Sequence, residues 1–212
     1  MPDSDSNTIW ESYLNEQFPP ESPAIESDVE EQIQKISAIT IEQAKQQQVF
    51  WGYIVQKMLQ DVIIHDGQYG DTMAVDESGT LLLNRQFCKR LLQSDPSGEL
   101  VRGVFLHEAQ HIMSKSFPRF DKLMGIKDLG LWNVATDYVM NRDLLNFGIT
   151  LPEFGLLPRN ENGRHIISFD ADHVGSLQGK YSGTVELDIT GLKAEDVYYE
   201  IRDKLQAANM PD

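Results

Sequence analysis

The stretch that most constrains this chain is FLHEAQHIMS, Phe105 to Ser114, where two histidines stand four residues apart in a segment of helical periodicity. Leu100, Val104, His107 and His111 recur at steps of four, three and four. A helix through them carries both imidazoles along the stripe that Leu100 and Val104 begin, so both histidines are expected to point inward. The helix is expected to open at SDP: Ser94 or Asp95 can cap it, and Pro96 suits a first turn that needs no amide hydrogen.

Imidazoles at i and i+4 on a helix stand about 5–6 Å apart at Cβ and can converge on one cation, with Glu108 on an adjoining part of the surface. The pattern is HExxH. Zinc held by neutral imidazoles lowers the pKa of water towards about 7, and a nearby carboxylate can take the proton as the water attacks a carbonyl. The alternative is a pair of core histidines satisfied by hydrogen bonds, since an imidazole buried without a metal or a partner costs desolvation. Cys88 is the single cysteine, so any metal site must use histidine and carboxylate.

A catalytic zinc normally has three protein ligands and one open position, which calls for a third ligand from a separate element. In GLWNVATDYVMNRDLLNFG, Asp128 can cap a helix and Gly148 can end it, and Asn133, Asp137 and Asn141 form a polar stripe at four-residue spacing. Asp137 is the expected ligand because zinc prefers an anionic oxygen to an amide. Asn133 and Asn141 would then orient their neighbours through hydrogen bonds. A plain solvated face is the competing account of the same stripe.

Upstream, residues 1–26 read as a flexible acidic arm, and a single domain is expected over 27–212. Residues 1–31 hold nine acids and four prolines with no Lys or Arg, while Trp10, Tyr13, Leu14 and Phe18 give the arm apolar groups with which to dock on a protein partner. Ser27 with Glu30 fits a capping box, and Thr40 with Gln43 predicts a second helix start running through EQAKQQQVFWGYIVQKMLQDVI, with Trp51, Val55, Met58 and Val62 as its stripe. DTMAVDES and GTLLLNRQF, separated at Gly79, predict a hairpin. A formal net charge of −15 with no basic block argues against nucleic acid as a partner. No apolar run reaches the roughly 18 residues of a membrane helix, and MPDSDSNT lacks the parts of a signal peptide, so a soluble, cytoplasmic protein is expected.

The succession LNRQF, VRGVFLHEAQH, LWNVATDYVMN, GITLPEFGLLP and GLKAEDVYYEIRDKL resembles the predicted zinc-metallopeptidase domain often fused to a von Willebrand factor A domain in bacterial and phage proteins. The similarity spans about Val62 to Leu205 and is strong at those islands. It implies a zincin-like α+β fold, mostly helical with a small mixed sheet, in which an edge strand can hold a substrate peptide. It also implies a bacterial or phage-infected cell. Position by position, His107 and His111 fall on the family's zinc histidines, Glu108 on its catalytic acid and Asp137 on the aspartate of its Asn-x-Ala-x-Asp segment. Two departures stand out: the 212 residues leave no room for a von Willebrand domain, and residues 159–190 are longer than expected and alternate in a way that suggests strands. His165 and His173 lie in that segment and read as surface residues.

The expectation is therefore a Zn2+-dependent metallopeptidase, an endopeptidase acting on protein or peptide, with Glu108 as general base and the substrate paired beside the strand at Thr80–Leu83. Tyr138 and His165 are candidate donors to an oxyanion, although Tyr138 points about 100° away from Asp137 around its helix. A catalytically silent, zinc-stabilised protein-binding module is the alternative, and a small helical interaction protein without metal is a third.

Overall fold

A computed structural model describes residues 26–47, 49–125 and 127–208; the acidic arm lies outside the described residues apart from Glu26. The described residues divide into two compact units, 26–118 with Phe147–Glu153, and Arg119–Asn146 with 154–208. Helices and small sheets are mixed along the chain, as an α+β class requires. Among the described residues no helix is long and apolar enough to cross a membrane.

In the first unit, α1 (Glu26–Gln47) and α2 (Val49–Met58) pack on each other. The helix start expected at Thr40 is absent. Thr40 sits inside α1, buried, and its hydroxyl donates to the Ile36 carbonyl at 2.7 Å, a back-bond that satisfies the side chain without a cap. Trp51, Val55 and Met58 are buried along α2 as their spacing predicts. The helix stops there, however, and Val62 opens strand β1 (Val62–His65) instead of extending the stripe. β-Branched Val62, Ile63 and Ile64 suit a pleated strand better than a fourth helical turn.

The hairpin at Gly79 is present: β2 (Met73–Val75) pairs antiparallel with β3 (Leu81–Asn84), and Gly79 takes the left-handed conformation (φ 89°) that the turn needs. β1 then joins the other side of β3 in parallel register, Val62 opposite Leu81 and His65 opposite Asn84. The sheet order is β1-β3-β2. This corrects the expected substrate position, because β3 uses both its edges within the sheet; its free edges belong to β1 and β2. Beyond β3, NRQF is no strand either. The Asn84 side chain accepts from the Phe87 amide at 2.9 Å and caps α3 (Arg85–Ser94), whose Phe87, Cys88, Leu91 and Leu92 are buried.

The HExxH segment forms α4 (Glu99–Met113). Its start differs in detail from the expected one. Gly98 is the N-cap, in left-handed conformation, and an added β-carbon there would meet Ile36 Cδ1 at 2.5 Å. Asp95 still serves the first turn from outside, accepting from the Leu100 amide at 2.9 Å and from Ser97. α4 packs on α1, α2, α3 and β2. The returning segment Phe147–Glu153 lies so close that the Thr150 carbonyl occupies the space a side chain on Gly103 would need. A short helix, α5 (Ser116–Phe120), follows α4.

The second unit is built on α6 (Leu129–Asn146), an antiparallel sheet β4 (Arg159–Glu161), β5 (Arg164–Asp170) and β6 (Thr184–Asp188), and α7 (Ala194–Ala208). The alternation in residues 159–190 is thus a β-meander, a second small sheet that the expected single mixed sheet did not include. Trp132, Tyr138, Ile167, Phe169, Val185, Tyr198 and Ile201 belong to its core. Asp128 caps α6, accepting from the Leu131 amide at 3.0 Å, and Gly148 follows its end with φ 74°. Arg142 is buried on α6 and donates to the carbonyls of Ile189 and Leu192 at 2.7 and 2.9 Å, tying the β6–α7 connection to that helix.

Candidate metal centre

One turn of α4 separates His107 from His111, and their Nε2 atoms stand 3.1 Å apart with the rings edge to face at a centroid distance of 4.9 Å. Both are half-buried. The expected inward stripe is rotated: Leu100, Val104, His107 and His111 all lie at the flank, while Val101, Phe105, Leu106, Glu108 and Ala109 are buried. The histidines are therefore accessible to a ligand in a way a core position would forbid. Beyond them the helix end is fixed by two serines, since Ser114 and Ser116 donate their hydroxyls to the His111 carbonyl at 3.3 and 3.2 Å. Neither serine carried a signal in the sequence beyond its proximity to a helix end.

Donor atoms of His107, His111 and Asp137 lie within 4.8 Å of one another, and this group can hold a metal ion. All three residues are half-buried. Two ligands on a tetrahedral zinc at about 2.0–2.1 Å stand about 3.3–3.4 Å apart, close to the separation of the two imidazole nitrogens. A hydrogen bond between neutral imidazoles would span the same distance. A carboxylate oxygen beside the two nitrogens suits a divalent cation. Two imidazoles and a carboxylate are also a donor set that zinc accepts.

Glu108 is 6% exposed, more buried than the adjoining surface position the spacing suggested. Its helical position explains this. Val101, Phe105 and Glu108 recur at four and three, so Glu108 shares the helix face that packs in the interior. Of the two amides flanking Asp137, Asn133 is exposed, and Asn141 is buried with its Nδ2 donating to the Leu156 carbonyl at 3.0 Å. Asn141 thus anchors the chain that leaves α6. Tyr138 is buried and stacked on Phe169 at a ring distance of 5.8 Å, and burial first, then Asp137, raise its phenol above the usual range. It is a core aromatic.

His165 and His173 stand outside the three-donor group. The His165 ring places Nε2 3.1 Å from Asn146 Oδ1, while His173 is exposed with Nδ1 3.6 Å from Asp170. His65 is the buried histidine of the first unit. Its Nδ1 accepts from the Gly67 amide at 3.1 Å, and desolvation lowers its pKa against the opposing pull of Asp66 and Asp71. Cys88 is buried, and desolvation pushes its thiol up to about 12, which leaves it unreactive.

No protein-family model, curated protein or solved structure matches this chain.

Proposed function

We propose that the chain is a zinc-dependent metallopeptidase acting on protein or peptide. The observation that carries this reading is the convergence of His107, His111 and Asp137 donors within 4.8 Å, with Glu108 next to the first ligand in an HExxH helix. His107 and His111, neutral, would hold the ion through Nε2, and Asp137 would add an anionic oxygen that offsets part of its charge. A zinc ion there supplies Lewis acidity, which polarises a peptide carbonyl and makes water a usable nucleophile near neutral pH. The Glu108 carboxylate takes the proton of the attacking water and returns it to the leaving nitrogen. An extended peptide would pair with a free sheet edge at β1 or β2, with β2 the edge strand that packs on α4.

The burial of Glu108 favours a second reading, a zinc-stabilised protein-binding module in which that carboxylate helps to hold α4 in place. The two differ in what Glu108→Gln does. As a metallopeptidase, the purified chain binds one equivalent of zinc and cleaves members of a broad peptide library, and Glu108→Gln keeps the zinc while losing cleavage by at least about 100-fold. As a binding module, both proteins hold zinc and neither cleaves. A chain that binds no zinc after growth with ample metal removes both readings.

A further inference from the structure

The histidine that ends β1 uses only one of its two ring nitrogens. His65 is 4% exposed, and its Nδ1 accepts from the Gly67 amide at 3.1 Å, so the ring is neutral and carries its proton on Nε2. That Nε2 is buried and has no hydrogen-bond partner among the described residues. The Oδ2 of Asp71 is also buried and has none among them. A donor and an acceptor are thus left unused on either side of one loop, each at a desolvation cost that a partner would offset. The Asp71 carboxylate also lies near the start of the loop, since its Oδ1 would stand 3.9 Å from a β-carbon on Gly67.

We propose that His65 is an acid-sensitive latch on the loop between β1 and β2. Neutral, the ring holds Gly67 through Nδ1. Protonated, it carries a hydrogen on both nitrogens, so it meets the Gly67 N–H donor to donor and releases it, and Asp71 Oδ2 becomes the acceptor of the imidazolium. The anchors on either side confine the movement. Asn84 donates Nδ2 to the Gly70 carbonyl at 2.9 Å and its amide to the Thr72 carbonyl at 3.3 Å, and Arg90 donates to the Asp71 carbonyl at 3.4 Å. Arg85 holds Asp66 at 3.0 Å. Residues 67–70 are left to swing, bounded by Gly67 and Gly70 at φ 115° and 110°, and Tyr69 among them rests edge to face on the His65 ring at 5.3 Å. The ionised groups that act on the ring are Asp66 and Asp71; α3 presents Arg85, bonded to Asp66 and to Glu30 of α1, and Arg90 at the Asp71 carbonyl. Desolvation lowers the ring's pKa against the pull of the two aspartates, so the closed loop is fully present above the ordinary imidazole value near 6.5 and is lost as pH falls through the lowered one. Acid thereby loosens the turn that joins the two strands with free edges.

Nuclear magnetic resonance of the isotope-labelled full chain tests this. At neutral pH the ring nitrogens show the proton on Nε2. As acid is added, the Gly67 amide loses exchange protection about three- to tenfold, the worth of one hydrogen bond, with the same midpoint as the ring. His65→Asn supplies an oxygen that accepts from the amide two residues on and does not titrate, so it keeps Gly67 protected throughout. The remaining histidines are common to both chains, and the comparison isolates residue 65. Asp71→Asn leaves the Gly67 bond intact at neutral pH and lowers the midpoint of the ring, because the imidazolium loses its anion. A proton on Nδ1 at neutral pH, a ring that stays neutral until the chain unfolds, Gly67 protection that survives titration of the ring or falls equally in His65→Asn, or a midpoint indifferent to Asp71→Asn overturns the latch.

Discussion

The carbonyl oxygen of Thr150 fills the place where a side chain on Gly103 would stand, one helical turn before His107. Alanine in a helix is ordinarily worth about 1 kcal/mol over glycine. Here the added methyl meets backbone that cannot rotate away, and overpacking of that kind costs about 1–3 kcal/mol, so the unfavourable contribution prevails. Gly103→Ala is expected to lower the urea midpoint and weaken metal retention by displacing the turn that carries His107. A midpoint at or above that of the unaltered chain would show that residues 147–153 do not press on α4.

Zinc should stabilise the fold by mass action, by about 2.7 kcal/mol when free metal stands at a hundred times Kd. Melting curves with zinc and with chelator measure the difference. His107→Ala and His111→Ala are each expected to remove the increment, and Asp137→Ala to reduce it. An increment that persists in the double histidine variant would assign the metal to other ligands.

Asp188, at the end of β6, pairs with Arg164 at the start of β5, and hydrogen bonds from the Thr190 hydroxyl and amide, then from Arg164, hold its carboxyl at about 2. The unfolded carboxyl titrates near 3.9, so between these values the unfolded chain binds the extra proton and acid favours unfolding. The contribution of Asp188 is present above about pH 4 and is lost as pH falls towards 2. Asp188→Asn should flatten the stability profile in that window; urea midpoints at pH 5 and pH 2.5 that fall in parallel for both chains would assign the acid sensitivity elsewhere.

Asp128→Ala removes the acceptor of the Leu131 amide and should cost about 1 kcal/mol of stability, as loss of a helix cap does. Asp128→Asn keeps an acceptor oxygen and should recover most of it. Chemical denaturation of the three chains gives the comparison.

Asp128 and Gly148 were legible as the limits of α6 because capping is a local contact that sequence neighbours make with each other. The hairpin about Gly79 was legible for the same reason. β1 was not. Val62, Ile63 and Ile64 continue a helical stripe without a glycine or proline to stop it, and their strand conformation comes from pairing with Leu81–Asn84, a contact made nineteen residues away. α3 was missed because Asn84 ends a strand and caps a helix at once. At the site, the grouping of His107, His111 and Asp137 followed from spacing and chemistry, but the orientation of α4 did not. Two stripes compete on that helix, Leu100-Val104-His107-His111 and Val101-Phe105-Glu108-Ile112, and hydrophobicity alone rejects the second because it contains a glutamate. The partners packed around α4 select it nonetheless.

The double pairing of β3 has a consequence for the order in which the first unit assembles. The β2–β3 hairpin closes over a five-residue gap between Val75 and Leu81, whereas β1 must find its parallel partner across a longer loop and has no register of its own until Leu81–Asn84 is already extended. On these grounds the hairpin is expected to form first and β1 to join it, so that in stopped-flow measurements a lesion in the Gly79 turn slows the folding of the unit, whereas one in β1 mainly hastens its unfolding.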